Sequence, residues 1–135
     1  MSNKISVVII AKNEERYIEA AIQSSKFANE ILVLDSGSSD STCSIARSLG
    51  ARVIYQNWLG FGKQKNKAIE LAQNDWVFVL DSDERITPKL QIEIMRVLKN
   101  PSADGYLVPR LNWDKLIRVI MTISCKKKFL SSHKQ

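Results

Sequence analysis

The chain contains few of the residues that build disulfide frameworks or zinc sites. Among 135 residues it has two cysteines, Cys43 and Cys125, and one histidine. The cysteines have no partners at metal-ligand spacing, and two of them do not suggest a disulfide framework, so a reducing compartment is expected. Glycine and proline number five and three, and there is no internal repeat or low-complexity segment. At 135 residues the chain fits a single domain.

Long apolar runs are also absent. The first run ends at Ile10 and is followed by Lys12, Glu14 and Glu15. A membrane span needs roughly 18 to 20 apolar residues, and the run is too short for a signal sequence as well. These absences predict a cytoplasmic protein.

The positive charge is concentrated at one end of the chain. Residues 110–135 hold seven lysines and arginines and one aspartate, which accounts for the whole net charge of +6, and residues 1–109 are neutral. A general basic surface for nucleic acid is not supported, so we expect no nucleic-acid partner. The charge indicates a basic C-terminal tail instead.

Strand-like and helix-like patterns alternate along the chain. Strands are predicted at 5–10, 30–34, 51–55, 76–80 and 106–108, and helices at 13–24, 42–49, 61–72 and from 88 to about 98. This alternation predicts an α/β fold, with a parallel sheet, helices on both faces and right-handed crossovers.

Acidic and polar residues directly follow three of the predicted strands. They are Lys12, Asn13 and Glu14, then Asp35, Ser36 and Gly37, then Asp81, Ser82 and Asp83. Ligands of open parallel sheets bind beyond the carboxyl ends of the strands, so these residues are expected to share one edge. Carboxylates held together repel one another, and a cation or hydrogen-bond donors of a ligand would relieve the repulsion. Oxygen ligands without a nearby histidine or cysteine favour Mg²⁺ or Mn²⁺, with a nucleoside diphosphate completing the shell.

A structural interpretation of the same acids stays open. Asp40 and Ser41 precede the second predicted helix, where aspartate and serine serve as caps. The acids at 81–84 fit that interpretation less well, because Thr87 and Pro88 already provide the start of the next helix.

Two familiar nucleotide motifs are missing. No Gly-x-Gly-x-x-Gly follows the first strand and there is no Walker A loop, which argues against a nicotinamide or flavin site. A receiver-like α/β signalling domain is a rival by length and fold, although residues 106–110 lack the lysine that such a domain has after its last strand.

Several stretches resemble a known family. SVVIIAKNEE (6–15), ILVLDSGSSDST (31–42) and DWVFVLDSDERI (75–86) are similar to the signature stretches of inverting family-2 glycosyltransferases with the GT-A fold. ARVIYQNWLGFGKQKNKAIELA (51–72) and ADGYLVPRLN (103–112) resemble the bacterial branch that adds sugars to the inner core of lipopolysaccharide or lipooligosaccharide. The resemblance implies a Rossmann-like nucleotide-sugar-binding domain at 1–112 that comprises the donor half only.

The segment 113–135 looks unlike that family and is expected to be a tail. Trp113, Leu116, Ile117 and Ile120 repeat there at helical spacing beside basic residues. Three interpretations are open: a basic amphipathic segment on an anionic membrane, an aberrant or frame-shifted end, and a stripe packed on the domain.

The resemblance also implies roles for single residues. Glu14 would lie by the base and ribose, Asp35 would accept a hydrogen bond from the base, and Asp81 would sit near the ribose and sugar. Asp83 would bind the Mg²⁺ or Mn²⁺ that bridges the diphosphate.

Two further pairs have alternative interpretations. Lys63 and Lys65 would contact phosphate or else be solvated helix residues. Trp58 and Phe61 would pack over their loop or else stack on a sugar.

The implied reaction is the metal-assisted, inverting transfer of a sugar from a nucleotide-diphosphate sugar to a lipid-linked oligosaccharide of the core. No catalytic base is identified, because only Asp104 and Asp114 lie beyond Glu93 and neither sits in the family's pattern. We therefore expect either an active transferase, at the inner face of the inner membrane, or an inactive truncated remnant that binds nucleotide sugar.

Overall fold

The computed structural model describes residues 3–112 and 115–125, and from residue 107 onward it describes the backbone alone. The elements are β1 (Ile5–Ala11), α1 (Ile18–Ser24), β2 (Glu30–Asp35), α2 (Thr42–Ser48), β3 (Arg52–Tyr55), α3 (Phe61–Leu71), β4 (Trp76–Asp81), α4 (Pro88–Lys99), β5 (Gly105–Asn112) and β6 (Lys115–Cys125). In the part of the chain described, no helix has the length and apolarity needed to cross a membrane.

One sheet of six strands organises the molecule, in the order β3-β2-β1-β4-β6-β5. The first four strands in that order are mutually parallel, whereas β6 runs antiparallel to both β4 and β5. The predicted α/β fold with a parallel sheet is confirmed.

The core lies on both faces of this sheet. On one face, alternate residues of β1 such as Val7 and Ile9 share a cluster with side chains of α1, α2 and α4. On the other face, Val8 shares a cluster with Ala68 and Ile69 of α3. Because β1 is buried on both faces, its sequence is a continuous β-branched run without alternation.

The first helix is shorter than predicted. It begins at Ile18 instead of residue 13, because Asn13 adopts the left-handed conformation with φ of 53°. Residues 14–17 form a turn in which the Glu14 carbonyl accepts hydrogen bonds from the N–H groups of Tyr17 and Ile18, at 3.0 and 2.9 Å. Asparagine tolerates the left-handed conformation better than most residues.

The helical spacing seen near the C-terminus does not produce a helix at 115–125. This segment is the strand β6, which pairs with β4 from Trp76↔Cys125 to Phe78↔Ile123 and with β5 along most of its length. Isoleucine, valine and threonine favour strands, and pairing with β4 and β5 overrides the local spacing. Residues 113, 114 and 126–135 lie outside the described residues. The predicted boundary between a domain at 1–112 and a tail at 113–135 therefore stays a prediction.

The loop between β3 and α3 turns at Gly60, the N-cap of α3, with φ of 97° and ψ of 157°. The buried side chain of Gln64 accepts a hydrogen bond from the Leu59 N–H at 3.1 Å and donates one to the Gln56 carbonyl at 3.3 Å. The Gln64 N–H donates to the Gly60 carbonyl at 2.8 Å. Backbone and side chain together hold residues 56–60 in one conformation.

We expect Gly60→Ala to destabilise the fold by about 1–3 kcal/mol, because the conformation of Gly60 is essentially restricted to glycine. Gly62→Ala is the matched control, since Gly62 lies inside α3 and an added Cβ would meet nothing within 4 Å. Alanine favours the helix, so the control is expected to be neutral or slightly stabilising. Urea unfolding measures both, and equal stability of the two variants would contradict the role of Gly60.

Candidate functional site

The carboxyl ends of three neighbouring strands meet at one edge of the sheet. Ala11 is in register with Asp35, and Ile10 is in register with Asp81. The residues that follow β1, β2 and β4 therefore emerge side by side, as the sequence predicts.

The loops after β1 and β2 are joined by reciprocal hydrogen bonds. The Asn13 N–H donates to the Ser38 hydroxyl oxygen, the Ser39 N–H donates to Asn13 Oδ1, and the Glu14 N–H donates to Thr42 Oγ1, each at 2.8 Å. Glu14 is half-buried at this junction. The left-handed conformation of Asn13 belongs to this arrangement, which makes one unit of the two loops.

Asp35 organises the second loop from a buried position. The residue is 3% exposed, and its carboxylate accepts hydrogen bonds from the Gly37 N–H at 3.0 Å, the Ser38 N–H at 2.8 Å and the Ser38 hydroxyl. Burial by itself raises the pKa of this carboxyl, but the hydrogen bonds from Ser38 and Gly37 outweigh burial and bring the pKa below its ordinary value. Asp35 is thus ionised and already bonded within its own loop, and its predicted bond to a base stays a prediction.

Cys43, which was not among the predicted site residues, lies beside Asp35. Burial, followed by the negative charge of Asp35, raises the pKa of the Cys43 thiol. The thiol therefore stays protonated and contributes a hydrogen bond that helps to lower the pKa of Asp35.

The predicted caps of α2 are only half right. Asp40 accepts a hydrogen bond from the N–H of Thr42, the first residue of α2, at 2.9 Å, and a second from the Glu15 N–H at 3.3 Å. Ser41 occupies the N-cap position, but its side chain makes no capping hydrogen bond. The hydrogen bond from the Thr42 hydroxyl is the main cause of the lowered pKa of Asp40.

A compact group of acids follows β4. Asp81, Asp83 and Glu84 each place a carboxylate oxygen within 4.8 Å of the other two. A tight turn brings them together: the Asp81 N–H donates to Glu84 Oε1 at 2.9 Å, and the Glu84 N–H donates to the Asp81 carbonyl at 3.0 Å. Glu84 was not among the predicted site residues, although it is the third acid within four positions.

One lysine approaches this group from α3. The Lys65 Nζ lies 3.8 Å from Asp81 Oδ1, and both side chains are about two-fifths exposed. Lys63, two residues earlier on α3, is exposed, and its predicted phosphate contact stays a prediction. Trp58 and Phe61 pack on each other edge to face, with ring centroids 4.8 Å apart, and both remain largely exposed.

The acids fit a hard divalent cation. Carboxylate oxygens are the ligands that Mg²⁺ and Mn²⁺ prefer, and neither histidine nor cysteine belongs to the group. Within residues 3–106, whose side chains are described, no second group of acids, histidines or cysteines is this compact. The donor set therefore suits the predicted metal.

Comparison with known proteins points to one family. The family model of glycosyl transferase family 2 matches residues 6–126. An uncharacterized glycosyltransferase from Rickettsia bellii (strain RML369-C) is 44% identical over 108 residues, which cover 79% of this chain and 37% of the relative. The lipopolysaccharide core biosynthesis glycosyltransferase LpsC of Rhizobium meliloti (strain 1021) is 36% identical over 92 residues, covering 64% of this chain and 34% of the relative. The chain thus spans about a third of the length of these relatives.

A solved structure shares both the fold and part of the sequence. It is glucosyl-3-phosphoglycerate synthase from Mycobacterium tuberculosis in complex with Mg²⁺ and uridine diphosphate. It superposes with a TM-score of 0.63 and 30% identity over 76% of this chain and 42% of that one. Another structure of the same enzyme, at 29% identity and a TM-score of 0.61, holds Mn²⁺, uridine diphosphate and glucosyl-3-phosphoglycerate.

We expect Asp35→Asn to destabilise the fold by about 1–3 kcal/mol at pH 7, because an amide cannot satisfy all the donors that face the carboxylate. The pKa of Asp35 is depressed in the folded state, so its contribution is fully present above the ordinary value of 3.8 and is lost as pH falls through the folded-state pKa. The difference in free energy of unfolding between wild type and Asp35→Asn should therefore shrink below about pH 3.8. Urea unfolding at a series of pH values measures it.

Asp104→Asn provides the control, because Asp104 is exposed in the loop before β5. It should show no comparable loss at any pH. A loss in Asp35→Asn that is equally large at low and neutral pH would show that the charge of Asp35 is not what stabilises the loop.

Proposed function

Because this chain belongs to glycosyl transferase family 2, we propose that its carboxyl edge binds a nucleotide-diphosphate sugar together with Mg²⁺ or Mn²⁺, as the donor side of an inverting sugar transfer. Membership of this family argues against the alternative of a receiver-like α/β signalling domain. The observation that carries the proposal is the compact group of Asp81, Asp83 and Glu84 with Lys65 beside it.

The edge has two halves, the loops after β1 and β2 and the residues after β4, and each binds a different part of the donor. The joined loops after β1 and β2 form the side for the base and ribose, with Glu14 half-buried at their junction. An ionised carboxylate has about four lone-pair positions, and on Asp35 loop donors use three of them while the Cys43 thiol contributes a further hydrogen bond. Asp35 therefore acts first by holding the loop that supports the base.

The acids after β4 form the diphosphate side. Asp81, Asp83 and Glu84 would hold the metal ion, which when bound supplies positive charge to the leaving diphosphate. The ammonium group of Lys65, 3.8 Å from Asp81, adds a second positive charge at the same place. This side therefore carries the electrostatic stabilisation of the donor.

The acceptor side of the proposal rests on relatives. LpsC is named for lipopolysaccharide core biosynthesis, and residues 51–72 and 103–112 resemble that branch, which favours a lipid-linked core oligosaccharide at the cytoplasmic face of a membrane. The similar synthase from Mycobacterium tuberculosis is named instead for 3-phosphoglycerate. A transfer assay offering both acceptors distinguishes the two.

The catalytic base is not assigned. In the described chain beyond Glu93 the one further acid is Asp104, which is exposed, and Asp114 lies outside the described residues. The alternative of an inactive remnant shares the proposed donor site but would bind donor without transferring sugar. The transfer assay separates these two functions as well.

We expect uridine diphosphate to bind at least about tenfold more tightly with Mn²⁺ or Mg²⁺ than with a chelator, a difference of about 1.4 kcal/mol. Asp83→Asn should remove most of this metal dependence, because it deletes a charged ligand from the group. Glu93→Gln is the control, since Glu93 is an exposed acid on α4 that pairs with Arg96. Titration calorimetry measures the binding of uridine diphosphate to wild type and to both variants. An unchanged metal dependence in Asp83→Asn would refute its assignment as a ligand.

We expect Lys65→Met to weaken binding of uridine diphosphate by about 10-fold to 100-fold, as for a lost charge-assisted hydrogen bond of about 1.5–3 kcal/mol. Lys67→Met is the matched control, because the Lys67 ammonium lies 3.9 Å from Glu70 on the same helix. Binding of uridine, which has no phosphate, should be equal in both variants. A similar weakening in the two would mean that general charge, and not the position of Lys65, attracts the nucleotide.

A further inference from the structure

Lys65 lies at the acid group where the proposed metal ion would also bind. Its Nζ is 3.8 Å from Asp81 Oδ1. Asp81 belongs with Asp83 and Glu84 to the compact group whose carboxylate oxygens lie within 4.8 Å of one another. A divalent cation among these oxygens would meet the ammonium at short range, and like charges this close repel each other. Lys65 and the metal ion therefore compete for the same acids.

The contact between Lys65 and Asp81 is loose enough to be exchanged. At 3.8 Å it is longer than a hydrogen bond, and 42% of the Lys65 side chain and 40% of the Asp81 side chain are exposed. Such ion pairs contribute little, because water screens the attraction and both side chains lose freedom. The pair of Arg52 and Glu30 is built differently, with its atoms 3.1 Å apart and the Glu30 side chain 7% exposed.

The backbone under Lys65 is fixed, so an exchange needs only a movement of its side chain. Gln64, the preceding residue of α3, is fully buried. It accepts a hydrogen bond from the Leu59 N–H at 3.1 Å and donates one to the Gln56 carbonyl at 3.3 Å. Ala68, one turn further along, is buried in the core between α3 and the sheet. The flexible stem of lysine lets the ammonium take new positions while the helix stays in place.

We infer that Lys65 is the resident counterion of this acid group and leaves Asp81 for the phosphates when nucleotide and metal bind together. The inference rests on the proposed donor site. Without nucleotide, the ammonium stays close to Asp81 and opposes the metal ion. A diphosphate offers the ammonium other negatively charged oxygens, so nucleotide binding removes this opposition. Lys65 thereby couples the two ligands, and each tightens the binding of the other.

This coupling favours the complete complex of nucleotide and metal over either ligand alone. A free metal ion meets the acids with the ammonium of Lys65 beside them. A nucleotide without metal brings its phosphates toward Asp81, Asp83 and Glu84, and like charges repel. Both costs disappear when the two ligands arrive together.

Titration of the full chain with Mn²⁺ in the absence of nucleotide tests the inference, with the electron paramagnetic resonance signal of free Mn²⁺ as the measurement. Lys65→Met removes the ammonium, so Mn²⁺ should bind about two- to fivefold more tightly, as for the loss of the competing charge of an exposed pair. The titrations are made in about 0.15 M salt, which screens exposed charges beyond about 8 Å.

Two further variants are controls for charge and for packing. Lys67→Met removes one lysine from the same helix, but the Lys67 ammonium lies 3.9 Å from Glu70, and residues two apart on a helix do not face each other. Lys65→Arg keeps the positive charge beside Asp81. Both variants should bind Mn²⁺ like wild type.

The sign of the effect distinguishes competition from a role in folding. With saturating uridine diphosphate, the gain of Lys65→Met in Mn²⁺ affinity should disappear, because in wild type the ammonium is then on the phosphates. The ratio of Mn²⁺ affinities with and without uridine diphosphate should therefore be smaller in Lys65→Met than in wild type. A residue that only supported the fold would weaken the binding of both ligands when replaced.

Three results would overturn the inference. They are unchanged or weaker Mn²⁺ binding by Lys65→Met, equal tightening in Lys67→Met, and equal tightening in Lys65→Arg. The first would show that the ammonium does not compete, the second that loss of any positive charge suffices, and the third that packing is responsible.

Failure of the proposed function gives a different result. Wild type would then bind no Mn²⁺, with or without uridine diphosphate, which would overturn the donor site and this inference with it. Wild type that binds Mn²⁺ but no uridine diphosphate would overturn the coupling, and the titrations without nucleotide would still decide whether Lys65 competes.

Discussion

The pairing of β1 on both sides is the constraint on which the rest of the structure depends. β1 is hydrogen-bonded in parallel to β2 and to β4, and Val7, Val8 and Ile9 are completely buried between the layers. This register leaves no freedom to separate the ends of the three strands. Asp35 and Asp81 are therefore brought to one edge by the packing of the core, although they are distant in sequence, and the loops only refine their positions.

The acidic side chains at the two edges of the sheet have different surroundings. At the amino edge, Glu30 accepts hydrogen bonds from the Ser6 hydroxyl and the Gln73 N–H, both at 2.8 Å, and pairs with Arg52 at 3.1 Å. These contacts give Glu30 a structural role, because they hold neighbouring parts of the sheet together. At the carboxyl edge three acids lie close to one another, with Lys65 beside Asp81, and crowding of like charge is costly unless cations relieve it. The difference distinguishes a structural carboxylate from a candidate ligand.

Much of this architecture was predictable because strands buried on both faces carry a strong local pattern. The first strand was expected at 5–10 and runs from Ile5–Ala11, and the acids at strand ends follow from topology alone. The misses all depend on contacts distant in sequence or on turn geometry. α1 starts late because Asn13 bonds to the Ser38–Ser39 backbone and hydroxyl. β6 was missed because its spacing fits a helix until β4 offers a partner. No separate role was predicted for Glu84, because only the turn shows which of the acids at 81–84 face each other.

The two halves of the edge should respond differently to their surroundings. The loops after β1 and β2 are held by short hydrogen bonds between neutral groups and by a buried, ionised Asp35, so their shape is preorganised and salt screens it little. The half after β4 works through exposed charge, in which Lys65 and the acids are open to solvent and counterions. In the proposed function, selectivity for the base would then depend on the rigidity of the first half, whereas affinity for the diphosphate would depend on the charge of the second. A change in ionic strength acts on the second half and leaves the first as it is.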